Sequence, residues 1–98
     1  MIIGSDVMSF QQSFKALSDP TRRAILDLLK EEAKTAGDIA SQFQMTGATI
    51  SHHLAVLRDA GLVSDDHRGK YIYYELNASV LDELIGWVAS LKGENSDE

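Results

Sequence analysis

Between Thr46 and Ala60, small and hydrogen-bonding side chains gather on one side of a segment whose other side is apolar. At about 100° per residue, Ile50, His53, Leu54, Leu57 and Gly61 fall together. Ala48, His52, Ala55 and Asp59 fall opposite, with Thr49 and Ser51 on the flanks. The first set reads as the inward face of a helix. The outward face opens with Thr46, Gly47, Ala48, Thr49, Ser51 and His52. These are short enough to let a helix approach a surface closely, and they carry donors and acceptors that reach base edges or phosphates. The chemistry on offer is hydrogen-bonded recognition rather than catalysis. A Ser51–His52 nucleophile–base pair would need neighbouring helical side chains to converge, whereas they diverge by about 100°. No strand-turn-helix elbow and no Gly-rich phosphate loop lies nearby, so no enzymatic activity is expected. The same divergence stops His52 and His53 from sharing one ion, and the i, i+4 spacing of helical zinc ligands is missing. His53 is expected inside, hydrogen-bonded, and His52 on the nucleic-acid side.

The surrounding elements must hold this helix at a surface. Thr35 caps a short helix with Ile39, Ala40 and Phe43 inward, Gln44-Met45-Thr46 makes the turn, and Thr46 caps the longer helix, which ends near Ala60 with Gly61 just past it. Helix, tight turn and helix with two unlike faces form a helix-turn-helix. Upstream, Phe10, Phe14 and Leu17 space a helix over 7–17. Asp19-Pro20 caps and opens another that runs to about Lys30 with Ile25, Leu26, Leu28 and Leu29 as its apolar stripe. Arg22 and Arg23 sit in its first turn, against the helix dipole, which points to an anionic partner or an ion pair. Residues 31–34 read as a polar connector.

After Leu62 the period changes. Runs over 62–67 and 70–76 flank Arg68-Gly69, and Ile72, Tyr74 and Leu76 alternate with Tyr71, Tyr73 and Glu75, as in a β-hairpin with Gly69 supplying the turn. Its tip carries Arg68, Gly69 and Lys70, a wing that can set cations against phosphates or the minor groove. A last helix follows from Asn77 or Ser79 to about Leu91. Its Val80, Leu81, Leu84, Ile85, Trp87, Val88 and Leu91 cover more than one face. A small monomer could not bury these together with Phe10 and Phe14, so the first and last helices are expected to form a dimer interface. Tyr73, Tyr74 and Trp87 read as packing residues, not as a ligand pocket.

One domain is expected, over 7–91, between a flexible N-terminus (1–6) and a disordered acidic tail (92–98). The fold class is α+β, mainly helical: a winged helix-turn-helix of about five helices plus a two-stranded wing. With no cysteine among the 98 residues, disulfides and thiolate metal sites are excluded. No apolar run spans a membrane and no signal peptide opens the chain, so a cytoplasmic protein without membrane insertion is expected. The net charge of −6 by itself argues against nucleic acid. However, the net negative charge concentrates after Tyr74, where six acids face one base and carry −5 of the −6, away from the candidate surface. Lys15, Arg22, Arg23 and Arg58 are weaker candidates for phosphate contacts.

The strings SDPTRRAILDLL, TAGDIASQF, TISHHLAVLRDAGLV and HRGKYIYYEL, in this order, resemble the ArsR/SmtB family of bacterial winged-helix repressors over roughly residues 10–91. The resemblance implies a homodimer on the first and last helices that binds a pseudo-palindromic operator in double-stranded DNA and represses transcription, often its own. It puts the recognition helix on 47–60, with contacts from Gly47, Ala48, Thr49, Ser51 and His52, and the wing on 68–70. The sporulation-delaying-protein subgroup of autorepressors, to which the chain is most similar, implies release by a membrane-protein regulator. Many members sense metals. Cysteines of the thiolate site are here Thr35 and Gly37, and the interfacial carboxylate and histidine ligands match Ala78, Val80, Ser90 and Glu94, so neither a metal nor another cofactor is expected. The alternatives are a winged helix that docks a protein with the same face, and a metal-responsive repressor with an atypical His52/His67 site.

Overall fold

A computed structural model describes the backbone of residues 3–93 and the side chains from Phe10 onward. The order is α1 (Ile3–Leu17), α2 (Pro20–Leu29), β1 (Lys34–Thr35), α3 (Ala36–Phe43), α4 (Gly47–Asp59), β2 (Val63–Arg68), β3 (Tyr71–Leu76) and α5 (Ala78–Lys92). The N-caps of α2, α3 and α4 form as their residue types dictate, whereas Asn77 before α5 makes no side-chain capping bond. Asp19 accepts the Arg22 N–H at 3.0 Å with Pro20 opening α2. Thr35 accepts from the Asp38 N–H and Thr46 from the Thr49 N–H, each at 3.1 Å. Short polar side chains do this because the first N–H groups of a helix have no partner within it. Gly61, at φ +81°, closes α4 in the left-handed region.

Ile50, Leu54 and Leu57 of α4 meet Ile25 and Leu29 of α2, Ile39 of α3, Ala16 of α1, Leu62, Val63 and Leu84 in one buried core. The inward face of α4 thus falls where the 3.6-residue period places it. β2 and β3 pair antiparallel from Val63↔Leu76 to Arg68↔Tyr71. Gly69 and Lys70 are the two turn residues, with positive φ at Gly69 alone (+64°), the pattern of a type II′ hairpin. Tyr74 and Leu76 lean on the core, and Ile72, nearer the tip, is exposed.

Three expectations are corrected. α1 begins at Ile3 rather than near Val7, so residues 3–6 are helical; residues 1–2 lie outside the described residues, as do 94–98 of the expected tail, while Lys92 closes α5 and Gly93 caps it. The sheet has three strands, in the order β1-β3-β2, because Lys34 and Thr35 pair with Tyr74 and Tyr73. Lys34 is therefore buried rather than part of a solvated connector, and its ammonium reaches Glu32 at 3.4 Å. A two-residue strand shows no periodicity and leaves no sequence pattern to read.

Leu84 is the third correction. It is 7% exposed and belongs to the protomer core, and Val80 and Leu81 pack against that core as well. The apolar stripe of α5 is divided. Its first half is spent on its own chain, whereas Ile85, Trp87, Val88 and Leu91 of the second half remain exposed.

Candidate nucleic-acid interface

Thr46, Gly47, Ala48, Thr49, Ser51 and His52 are all exposed, on the side of α4 away from the core. Thr46 and Thr49 are joined hydroxyl to hydroxyl at 3.0 Å, so the first turn is held as well as capped. A Cβ at Gly47 would meet nothing within 4 Å, and its φ is not positive. The fold itself does not ask for glycine there. Its missing side chain leaves the first turn of α4 open to close approach from outside. His53 points inward as expected, 14% exposed, with Nδ1 3.3 Å from Arg22 Nη1.

The cations expected to hold phosphate are mostly engaged within the protomer. Arg22 donates from Nε to the Ala16 carbonyl at 2.8 Å and from Nη2 to the Lys15 carbonyl at 3.3 Å, and Arg23 donates from Nη1 to the Leu17 carbonyl at 2.7 Å. Both arginines sit in the first turn of α2 but serve the last turn of α1, whose carbonyls are the negative end of that helix. This accounts for their position without an external anion. Arg58 lies 3.8 Å from Asp59 and 3.7 Å from Asp65 of β2. Lys15 is exposed.

On the wing, Arg68 donates to Asp66 Oδ2 at 2.8 Å and lies 4.5 Å over the Tyr73 ring. The Asp66 hydrogen bond, foremost, holds the guanidinium above its ordinary pKa. Register explains the grouping: Asp66 pairs with Tyr73 and Arg68 with Tyr71, so all four side chains share one face of the hairpin. Lys70 stands 5.7 Å over the Tyr71 ring. The two acids of β2 that take up Arg58 and Arg68 were visible in the sequence, but their partners depend on the register.

Phe10, Phe14 and Trp87 form an aromatic triangle with centroids 5.6–6.3 Å apart, joining α1 to α5. A groove of about 320 Å³ runs along them and Gln11. Of the positions matched to metal sites, Thr35 caps α3, Val80 packs on the core and Ser90 donates to the Trp87 carbonyl. Glu94 lies outside the described residues. Among the described residues no three of His, Cys, Asp and Glu come together, and no helix is long and apolar enough to cross a membrane.

A capped helix-turn-helix (α3–α4) followed by a hairpin whose tip is cationic is a winged helix-turn-helix, a DNA-binding class. The comparisons with known proteins agree. The profile described as bacterial regulatory protein, arsR family, matches residues 19–65. The transcriptional repressor SdpR of Bacillus subtilis (strain 168) is 52% identical over 84 residues, 84% of this chain and 93% of that protein. An arsenical resistance operon repressor of Staphylococcus aureus is 41% identical over 71 residues, 72% of this chain and 68% of that one. The chain belongs to the arsR family of bacterial regulatory proteins. Among solved structures, an ArsR-like transcriptional regulator from Rhodococcus sp. RHA1 superposes with a TM-score of 0.84 at 26% identity, covering 94% of this chain and 87% of that one. The solution structure of a homodimeric winged helix-turn-helix DNA-binding domain from Mycobacterium bovis gives 0.77 at 27%, covering 93% and 84%.

Proposed function

We propose that the protein is a homodimeric, operator-binding transcriptional repressor. In this reading each protomer sets the first half of α4 into a major groove and its wing against the flanking backbone. The observation that carries it is the division of α4. Ile50, Leu54 and Leu57 are buried, while Thr46 to Thr49, Ser51 and His52 stand exposed on a capped, rigid turn. Short side chains allow close approach, and hydroxyls and an imidazole read base edges. Dimerisation through α1 and the second half of α5 is supported by the exposed Phe14, Ile85, Trp87, Val88 and Leu91 and by the homodimeric relative of the same fold. Two copies of α4 about one turn of DNA apart then call for a two-fold symmetric site.

The chain's own promoter is the first place to look for such a site, in keeping with autorepression. Thr35 and Gly37 stand where a thiolate site would need cysteines, which supports a repressor whose signal is not a thiolate-bound metal. Release by a membrane-protein regulator rests on resemblance alone. The test is fluorescence anisotropy on a duplex from upstream of the gene and on a scrambled duplex, over a salt series. Selective binding of one dimer per duplex is the expected result. Equal, weak binding to both would remove that duplex as the operator.

A further inference from the structure

At the corner where α1, α2 and α4 meet, three polar side chains gather behind the DNA-facing surface. His53 Nδ1 lies 3.3 Å from Arg22 Nη1 and 4.0 Å from Asp19 Oδ2. The other sides of the Arg22 guanidinium are fixed by the carbonyls of Ala16 and Lys15, and its backbone N–H by Asp19. A guanidinium offers only donors. The Arg22–His53 contact is therefore a hydrogen bond only when Nδ1 is bare, which places the ring proton on Nε2.

We propose that Arg22 and His53 are positioning residues for DNA recognition: a neutral His53, accepting from Arg22, sets the rotation of α4 on the α1–α2 corner. The inference rests on α4 being the recognition helix. Ile50, Leu54 and Leu57 hold α4 to the core by apolar packing, and a hydrogen bond adds to that packing a restraint with a defined direction. The guanidinium supplies that restraint from a fixed point, because it is itself tied to the end of α1. Side chains on a helix reach about 5–6 Å from its axis, so a 10° rotation carries an outward group about 1 Å. That is enough to spoil a hydrogen bond to a base edge. His52 and Ser51 immediately precede His53, and they inherit whatever angle it keeps.

The test has two arms. First, ¹⁵N spectra of the histidines in the parent at neutral pH should show His53 with a bare Nδ1 and a protonated Nε2, a signature that shifts in Arg22→Ala. An Nδ1-protonated His53 would overturn the proposal. Second, anisotropy on the upstream and scrambled duplexes should show His53→Ala and Arg22→Ala losing selectivity by roughly tenfold or more, the scale of a hydrogen bond to a charged group. His53→Asn keeps an acceptor near the Nδ1 position and should recover most of it. Arg22→Lys cannot span both carbonyls and His53, and should not. Thermal melts identify any variant that has unfolded; a folded His53→Ala with parental selectivity, or a folded His53→Asn no better than His53→Ala, would sink the proposal. If the parent favours neither duplex, the repressor reading has failed at that site, and the tautomer arm alone decides the clamp.

Discussion

Leu84 and Leu91 lie seven residues apart on α5, about two turns, and point the same way. One is 7% exposed and the other 66%. Leu91→Ala should therefore leave the protomer core intact and weaken the dimer. The substitution removes three carbons. At about 0.8 kcal/mol each, scaled by the exposed fraction, the loss is about 1.6 kcal/mol per protomer. A two-fold interface contains the residue twice, so the dimer loses about 3 kcal/mol, or roughly two decades in its dissociation constant. Sedimentation across a hundredfold concentration range reads the constant directly. Melts over the same range add a second signature, since a deficit caused by lost association is absent where both proteins are monomeric and grows to a plateau as protein concentration rises. Leu84→Ala should instead cost about 2–5 kcal/mol of folding stability at every concentration. If Leu91→Ala sediments as the parent does and melts with it throughout, the second half of α5 lies outside the interface and the division drawn on that helix is mistaken.

Two further outcomes are expected. His52→Ala should cost roughly 1–3 kcal/mol of operator affinity with an unchanged melt, and equal affinity would take His52 out of the interface. Asp19 accepts the Arg22 N–H, and this, foremost, holds its carboxyl below the usual carboxylate range. A depressed folded value means stability that is fully present above about pH 4 and fades as pH falls through the lowered value. Asp19→Asn keeps a capping side chain without the charge, so its deficit against the parent should close on acidification. A gap that stays constant down an acid series of melts would refute the linkage.

The local devices were legible because each is decided by a few neighbouring residues. Asp19 before Pro20, Thr46 before an apolar-periodic run, and Gly61 and Gly69 at left-handed positions all stand where residue type alone puts them. The outward face of α4 was legible for the same reason, since one helix period separates Ile50, Leu54 and Leu57 from Ser51 and His52. What escaped depends on partners distant in the chain or on division of a shared pattern. β1 exists because Tyr73 and Tyr74 pair with it, from a hairpin nearly forty residues on. Arg22 shows only an odd position until the end of α1 is placed against it. Periodicity marks Leu84 and Leu91 alike, and only the length by which α5 overruns the core tells one from the other.

The net charge of −6 stops being a difficulty once each cation is followed to its partner. Lys30 and Lys34 pair with Asp27 and Glu32, Arg58 with Asp59 and Asp65, and Arg68 with Asp66. Arg22 and Arg23 close α1. Between Lys15 and Lys70, the two lysines at those ends are the cations with neither a carboxylate nor a carbonyl partner among the described residues. On the proposed reading, few unpaired cations should mean few displaced counterions, weak binding to arbitrary sequence, and discrimination by the uncharged groups of α4. If Lys15 and Lys70 of both protomers each meet one phosphate, the affinity should fall with a logarithmic salt slope of about −3.6, and Lys70→Ala should flatten it by about 1.8. A parent slope near about −11 would require Arg22, Arg23, Arg58 and Arg68 as well. That result would mean the paired arginines leave their carboxylates and carbonyls on DNA, and that the protomer rearranges at both the wing and the α1–α2 corner when it binds.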